Sequence, residues 1–230
     1  MIGIICALKI EVEGIKALME NSETTVKAGL EYISGKISGK DVVVLECGVG
    51  KVNAAVGTQI MIDLFKPDVI INSGIAGSLA KGIIIGDIVI SSDCVEHDIN
   101  TTALGEPRGQ IWFTDEKRIE IPADKEVVDK LAECCKNLGS SVRIGRIATG
   151  DIFVSSLQQR EYLAFEFGAM CCEMEGGAVG HVCYMNKVPF AILRSISDDL
   201  KFNMGEDYEE FKHLAAEKSV KALKKFIIMY

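Results

Sequence analysis

Short apolar runs alternate with segments of helical spacing along the chain, and this alternation limits the possible folds more than any other feature. Apolar runs at residues 2–7, 69–71 and 88–90 predict strands, and the continuous run at 69–71 is typical of a strand buried on both faces. The segments 52–65 and 124–138 have the spacing of amphipathic helices. This order predicts an α/β fold with helices on both faces of a sheet.

The second half of the chain continues the alternation. Further strands are predicted at residues 142–149, 169–174 and 190–195, and further helices at 11–19, 157–165, 178–185 and 208–229. Residues 26–46 have the pattern of antiparallel strands, so we expect a mixed sheet. We expect a small-residue loop at 72–77 and a long excursion at 98–122. No linker or repeat interrupts the order, which predicts one domain over residues 1–230.

The charge balance excludes two classes of partner. The chain carries 25 Lys and Arg against 33 Asp and Glu, a formal net charge of −8. This balance opposes binding to a nucleic-acid backbone or to an anionic membrane surface. No apolar run reaches the length of a membrane span. Residues 1–7 are apolar but follow no charged segment, so we expect no signal peptide.

The eight cysteines do not have the spacing of a metal site. None forms a C-x-x-C pair, and most lie within apolar segments, so neither a zinc site nor a disulfide framework is expected. Buried, reduced thiols are typical of a cytoplasmic protein. The residues indicate no metal and no organic cofactor.

Polar side chains follow most of the predicted strands. The polar residues are Glu11, Ser73, Asp151, Glu173, Glu175, Arg194, Ser197, Asp198 and Asp199. The residues beside them at the same strand ends are Leu8, Ile75, Gly77, Phe153, Val154 and Met174. Ligands bind at the carboxyl ends of strands in folds of this kind. We therefore expect these side chains to meet at one edge of the sheet.

Each of these signals is weak when it stands alone. A glutamate at the position of Glu11 is also favoured near the start of a helix by the helix dipole. The glycine loop lacks the lysine of a phosphate-binding loop. Arg194 within an apolar strand needs a partner, because a buried guanidinium is costly without one. Glu173 and Glu175 are two apart on a strand and share a face, where two like charges are costly unless they bind something. Together the signals predict an active site.

Several motifs occur in an order that is far more specific than any one of them. They are IGII (2–5) with Glu11, GVGKVNAA (48–55), KPDVIIN (66–72), GDIV (86–89), HD (97–98), GD (150–151), EME (173–175) and RSISD (194–198). With these motifs the chain resembles, nearly end to end, the 5′-methylthioadenosine/S-adenosylhomocysteine nucleosidases of the nucleoside phosphorylase superfamily. The resemblance implies a nucleoside phosphorylase-like domain, with a central mixed β-sheet flanked by helices.

The resemblance implies an enzyme that uses water to cleave the bond between adenine N9 and ribose C1′. The substrates would be 5′-methylthioadenosine and S-adenosylhomocysteine, with 5′-deoxyadenosine as a further candidate, and the sequence does not rank them. Asp198, held by Ser197, would protonate N7 of the leaving adenine. Glu11 would be the general base on water, with Arg194 near it. Glu175 would hold the ribose hydroxyls and favour the oxocarbenium-like transition state.

The remaining roles that the resemblance implies concern substrate binding. Phe153 would stack on adenine, the backbone of Val154 would contact the purine edge, and Met174 would pack on the sugar. Gly77 would lie where the chain approaches the ligand. Glu173 would either bind substrate or serve the structure alone. Further contacts are expected from Leu8, Ile75 and Tyr208.

The sequence departs from the family pattern at the water site and at the 5′ end of the pocket. Ile75 replaces the usual serine, whose hydroxyl helps to place the water. In relatives, a neighbouring subunit lends apolar residues to the pocket, and the matching positions here are Leu104 and Trp112, where Phe and Pro are usual. This borrowing implies a homodimer.

Two other functions remain open at this stage. A purine nucleoside phosphorylase would use phosphate, but its relatives hold phosphate with arginines of the N-terminal half, and the first arginine here is Arg108. A nucleoside-binding protein without catalysis is favoured by Ile75 and opposed by the presence of both Glu11 and Asp198.

Overall fold

The computed structural model describes residues 1–136, 138, 141–199 and 204–230, and residues 204–210 by their backbone alone. Twelve strands and six helices lie within these residues. The strands are β1 (Ile2–Cys6), β2 (Glu20–Lys27), β3 (Leu30–Ile37), β4 (Lys40–Glu46), β5 (Val69–Ser78), β6 (Ile88–Glu96), β7 (Ile111–Trp112), β8 (Lys117–Arg118), β9 (Glu120–Pro122), β10 (Val142–Thr149), β11 (Cys171–Glu173) and β12 (Phe190–Asp198). The helices are α1 (Lys9–Lys16), α2 (Lys51–Phe65), α3 (Lys125–Cys135), α4 (Leu157–Phe167), α5 (Gly176–Asn186) and α6 (Met204–Met229).

The main sheet is mixed, as the sequence predicts. Its order is β11-β10-β6-β12-β5-β1-β4-β3-β2, with β9 beside β6. Strands β4, β1, β5 and β12 run parallel to one another, whereas β2, β3 and β4 form an antiparallel meander. Strand β11 also pairs with β5, so that β5, β12, β6, β10 and β11 form a closed ring of strands.

The central strands are buried on both faces, because side chains of a strand point alternately to its two sides. In β4, Val42 and Val44 pack into one core cluster, and Val43 and Leu45 pack into another. The first cluster includes residues of α1, α3 and α6, and the second includes residues of α2 and α5. Burial of each such side chain stabilises the folded state by roughly 1.5–3 kcal/mol. The expected helices on both faces are confirmed.

The loop predicted at residues 72–77 is wrong, because β5 continues as a strand to Ser78. Its small residues serve a different purpose from turn formation. The register with β12 places Gly74 beside Arg194 and Gly77 beside Asp198. A glycine therefore lies next to each of these large side chains, where a side chain on β5 would collide with them.

Other differences concern polar and irregular segments. Strand β2 was not predicted over most of its length, because all eight of its residues are exposed and leave no apolar alternation. The expected excursion at 98–122 contains a 3₁₀ turn (Thr102–Leu104) and the short strands β7, β8 and β9. Strand β9 pairs with β6, so part of this region belongs to the main sheet.

The helix ends follow local chemistry. Asp124 accepts a hydrogen bond from the Val127 amide (3.0 Å) and caps α3, and Ser156 accepts one from Gln159 (3.2 Å) and caps α4. Gly168 ends α4 in the left-handed region, with φ of 64°. Gly139, which follows the predicted helical segment 124–138, lies outside the described residues.

Two further sequence expectations can be compared with the fold. All eight cysteines lie in described segments, and each is buried and free of disulfides. Within the described residues, none of the helices combines the length and the apolar character that crossing a bilayer requires.

Candidate active site

A cavity opens at the carboxyl ends of β1, β5, β11 and β12, beside the loop that follows β10. This is the edge at which the sequence places the site. Twelve of the predicted residues line it: Leu8, Glu11, Ile75, Gly77, Phe153, Val154, Glu173, Met174, Glu175, Arg194, Ser197 and Asp198. Leu104 and Trp112 do not line the cavity and are exposed. The side chain of Tyr208 lies outside the described residues.

Glu11 is held by backbone amides. It stands in the first turn of α1, and its Oε2 accepts hydrogen bonds from Ala7 (3.0 Å) and Leu8 (2.9 Å), while Oε1 accepts one from Ile75 (3.2 Å). Burial raises the pKa of Glu11, although Arg194 and these amides oppose the shift. The carboxylate is therefore fixed in place and is a stronger base than an exposed glutamate.

Arg194 is a fully buried cation among carboxylates. Its Nη2 donates to Glu173 and to Asn72, and lies 3.8 Å from Oε2 of Glu175. Burial alone would lower the pKa of Arg194, but Glu173, Glu175 and Glu11 outweigh it and raise the pKa. The guanidinium therefore stays charged and balances part of the negative charge around it.

Glu173 is occupied by groups of the protein itself. Its Oε2 accepts the amides of Glu175 (3.0 Å) and Gly176 (2.6 Å) at the start of α5, in addition to Arg194. Its other oxygen accepts the hydroxyl of Thr149. These contacts satisfy amides that a helix start leaves unpaired. They favour the interpretation that Glu173 serves the structure of the site.

Glu175 has fewer protein partners and lines the cavity. Its Oε1 accepts the Gly50 amide (2.9 Å). Gly50 has φ of 100°, a conformation that only glycine adopts readily. Burial, together with the nearby charge of Glu173, raises the pKa of Glu175 to about 7. Glu175 is therefore able to accept hydrogen bonds from a ligand and titrates near neutral pH.

A charged network behind the cavity fixes the two loops that carry Gly50 and Phe153. Lys51 Nζ lies 2.7 Å from Asp98 and 2.9 Å from Glu96. Burial alone would lower the pKa of Lys51, but these two carboxylates outweigh it and raise the pKa. The Asp151 amide donates to Asp98 (2.9 Å). This network explains the physical purpose of the motifs GVGK, HD and GD.

Asp198 lies at the end of β12 with both oxygens engaged. Ser197 Oγ donates to its Oδ1 (2.8 Å), the contact that the family resemblance implies. Its Oδ2 forms an ion pair with Arg160 of α4, which the sequence analysis missed. Arg160 shares a buried helix face with Leu163 and Phe167. The only local signal is the spacing of Arg160 from Leu163 and Phe167, which places the three residues on one helix face.

The residues around the rest of the cavity are mainly apolar. Val154 and Ile75 are buried, whereas the ring of Phe153 is about half exposed at the cavity. Cys172 also lines the cavity, and burial raises the pKa of its thiol to about 12. The combination of apolar walls with a few fixed polar groups is typical of a site for a small organic ligand.

The electrostatics of the cavity favour a positive charge within it. Arg160 and Arg194 are the basic side chains among its described lining residues, and each is paired with a carboxylate. Glu11 and Glu175 face the same space. Such a site presents three separately held carboxyl groups, those of Glu11, Glu175 and Asp198, to one ligand.

Comparisons with known proteins agree with this geometry. The family model of the phosphorylase superfamily matches residues 1–228. A 5′-methylthioadenosine/S-adenosylhomocysteine nucleosidase of Haemophilus influenzae is 41% identical over 219 residues, which cover 95% of this chain and 94% of the relative.

Solved structures extend the comparison to the whole fold. The 5′-methylthioadenosine/S-adenosylhomocysteine nucleosidase of Neisseria meningitidis, in complex with methylthio-immucillin-A, has a TM-score of 0.93 and 31% identity, with 100% of this chain and 99% of that chain covered. A futalosine hydrolase of Helicobacter pylori has the same TM-score and identity, with 100% and 97% covered. The chain therefore belongs to the phosphorylase superfamily and, within it, to the family of 5′-methylthioadenosine/S-adenosylhomocysteine nucleosidases.

Proposed function

We propose that this protein hydrolyses the N-glycosidic bond of 5′-methylthioadenosine and S-adenosylhomocysteine, and releases adenine and the 5′-substituted ribose. The relatives that carry this activity in their names support the substrate class. The observation that carries the proposal is that Glu11 and Asp198 line one cavity in which both arginines are already paired with carboxylates.

The proposed chemistry divides the reaction between these two groups. Glu11 takes a proton from water, and the water oxygen forms a bond to C1′ while the bond from C1′ to N9 breaks. The electron pair of that bond passes to the purine, and Asp198 donates a proton to N7, so that adenine leaves as a neutral base. The raised pKa of Glu11 strengthens it as a base.

The other residues act on the sugar and the base. Glu175 accepts hydrogen bonds from the ribose hydroxyls, and its negative charge stabilises the positive charge that develops on the ribose. Met174 packs on the sugar, Phe153 stacks on adenine, and the backbone of Val154 contacts the purine edge. Since Ile75 brings no hydroxyl, the water is held by Glu11 and Arg194.

Hydrolysis is preferred over phosphorolysis on electrostatic grounds. A phosphate dianion needs a guanidinium whose charge is not already balanced, and each of the two arginines of the described lining is paired with a carboxylate. Arg108 does not line the cavity. Glu11 and Glu175 would repel an anion in the same space.

The test is adenine release from 5′-methylthioadenosine with and without phosphate, with inosine and adenosine as control substrates. We expect release that does not depend on phosphate. Release only in the presence of phosphate would make the protein a phosphorylase. Adenine binding without adenine release from the substrate would favour a nucleoside-binding protein without catalysis. The same assay with S-adenosylhomocysteine, 5′-deoxyadenosine and futalosine ranks the 5′-substituents.

A cytoplasmic homodimer completes the proposal. Leu104 and Trp112 are 70% and 51% exposed, so their apolar surface is available for burial against a partner, which would be favourable. In the proposed dimer these residues reach the 5′ end of the partner subunit's cavity. Sedimentation equilibrium tests the oligomeric state, and Leu104→Glu is expected to yield a less active monomer. A fully active wild-type monomer would refute it.

A further inference from the structure

Arg160 is the largest charged group of the site with no role in the proposed reaction. It lies on α4 with 1% of its surface exposed, on the face that carries Leu163 and Phe167. Burial of a guanidinium is costly unless its donors are paired. The contacts of this side chain therefore indicate what it holds in place.

Arg160 joins three separate parts of the cavity wall. Its Nε and Nη2 donate to the carbonyl of Val154 (3.3 and 3.2 Å), in the loop after β10. Its Nη1 donates to the carbonyl of Ser78 (3.1 Å), at the end of β5. Its Nη2 also donates to Asp198, at the end of β12.

These contacts fix the orientation of the Asp198 carboxyl group. One oxygen is held by Arg160 and the other by Ser197, and each carboxylate oxygen has capacity for a further contact. The guanidinium is tied to two backbone carbonyls as well, so it cannot turn toward the ligand without losing them. It acts as a rigid support.

Strand β5, the neighbour of β12, leaves room for this ion pair at Gly77. A Cβ atom added at Gly77 would lie 2.9 Å from Nη2 of Arg160 and 2.9 Å from Oδ2 of Asp198. Gly77 has no positive φ angle that would call for glycine. The need for glycine at this position therefore follows from the ion pair.

We propose that Arg160 is a positioning residue that holds Asp198 and the Val154 backbone as one unit facing the leaving base. This inference rests on the proposed hydrolysis. Groups held in place before the reaction stabilise the transition state without a cost of reorganisation. The same contact balances the negative charge that remains on Asp198 after its proton has passed to N7.

The test compares two leaving groups in wild type, Arg160→Met and Arg160→Lys. Adenine needs a proton in order to leave 5′-methylthioadenosine, whereas nitrophenolate leaves 4-nitrophenyl 5-methylthioriboside without one. We expect Arg160→Met to lower kcat for the adenine substrate roughly 10- to 100-fold. The nitrophenyl substrate should change less than about threefold, and Arg160→Lys should recover part of the lost turnover.

Arg146→Met is the matched control. Arg146 pairs with Asp93 and donates to the carbonyl of Phe167 (3.0 Å) at the end of α4, but it does not line the cavity. This variant should leave both substrates unchanged. If Arg160→Met lowered kcat equally for both substrates, Arg160 would have only a structural role. If turnover of the adenine substrate were unchanged, Arg160 would have no role in positioning Asp198.

A second variant applies if Arg160→Met does not fold. Gly77→Ala keeps both partners but forces them apart, and we expect the same selective loss with the adenine substrate. An equal loss on both substrates would again overturn the inference. Wild-type turnover of 5′-methylthioadenosine tests the proposed function by itself, and its absence would remove both proposals. The ratio of variant to wild type tests the role of Arg160 alone.

Discussion

Replacement of Glu175 by Gln should change how the stability of the protein depends on pH. The side chain is buried, and burial together with the charge of Glu173 raises its pKa from 4.5 to about 7. The amide of a glutamine keeps an oxygen for the Gly50 N–H group but does not ionise. The variant therefore isolates the free energy of this one ionisation.

The sign and size follow from proton linkage. A carboxyl group whose pKa is higher in the folded state contributes stability that is complete below the unfolded pKa of about 4.5 and is lost as pH rises through about 7. Each unit by which the pKa differs between the folded and unfolded states corresponds to about 1.4 kcal/mol of unfolding free energy. Between pH 4.5 and pH 8, wild type should lose about 3 kcal/mol that Glu175→Gln does not lose.

The assay is urea unfolding, followed by circular dichroism at pH 4.5, 6, 7 and 8 and at equal protein concentration. Titrating groups that lie far from Glu175 are common to both proteins and cancel in the difference, whereas Glu173 and Glu11 interact with its charge and form part of the measured effect. Glu13→Gln, which changes an exposed glutamate of α1, controls for the loss of one negative charge. We expect Glu175→Gln to gain relative to wild type as pH rises, and the control to follow wild type.

A difference in unfolding free energy that stays constant from pH 4.5 to 8 would refute the reasoning. It would mean that Arg194 and the Gly50 amide compensate for burial fully. The same variant should lose turnover, because an amide carries no charge to stabilise a positive ribose. A protein that becomes more stable at pH 8 and less active would indicate that the site carries strain for function.

Three further outcomes are expected. Asp198→Asn should lower turnover of 5′-methylthioadenosine by roughly 10²–10⁴, about 3–5 kcal/mol of barrier, and a near wild-type rate of adenine release would remove Asp198 from its role. Glu11→Gln should bind adenine in a titration but stop hydrolysis, whereas joint loss of binding and fold would make Glu11 structural. Cys172 should react with iodoacetamide roughly 100-fold or more slowly than free cysteine at pH 8, because burial raises its pKa to about 12, and rapid labelling in a mass spectrum would contradict this.

The elements with strong apolar periodicity could be predicted from the sequence. Strand β10 and helix α2 lie where the pattern places them, within one residue. Strand β2 was missed because its exposed residues bury nothing, and pairing with β3 stabilises it instead. Strand β5 was cut short because glycine and serine are typical of loops when only local sequence is considered.

The candidate site was predicted more fully than the contacts within it. Local sequence, with the rule for strand ends, placed Glu11, Glu175 and Asp198 at one edge. The partners of these groups come from distant parts of the chain, such as Gly50 for Glu175 and Arg160 for Asp198. No local pattern connects residues 125 or 38 positions apart.

The sequence by itself determined the alternation of strands and helices, the mixed sheet and the set of chemical groups at its edge. These depend on apolar periodicity and residue type, which are local properties. Only the tertiary structure decided which carboxylates are held by the protein and which remain for a ligand. It tied Glu173 to the start of α5, left Glu175 at the cavity, and placed Arg160 behind Asp198. The physical reason is that charge, burial and hydrogen bonding depend on distances in space, which the folded chain alone sets.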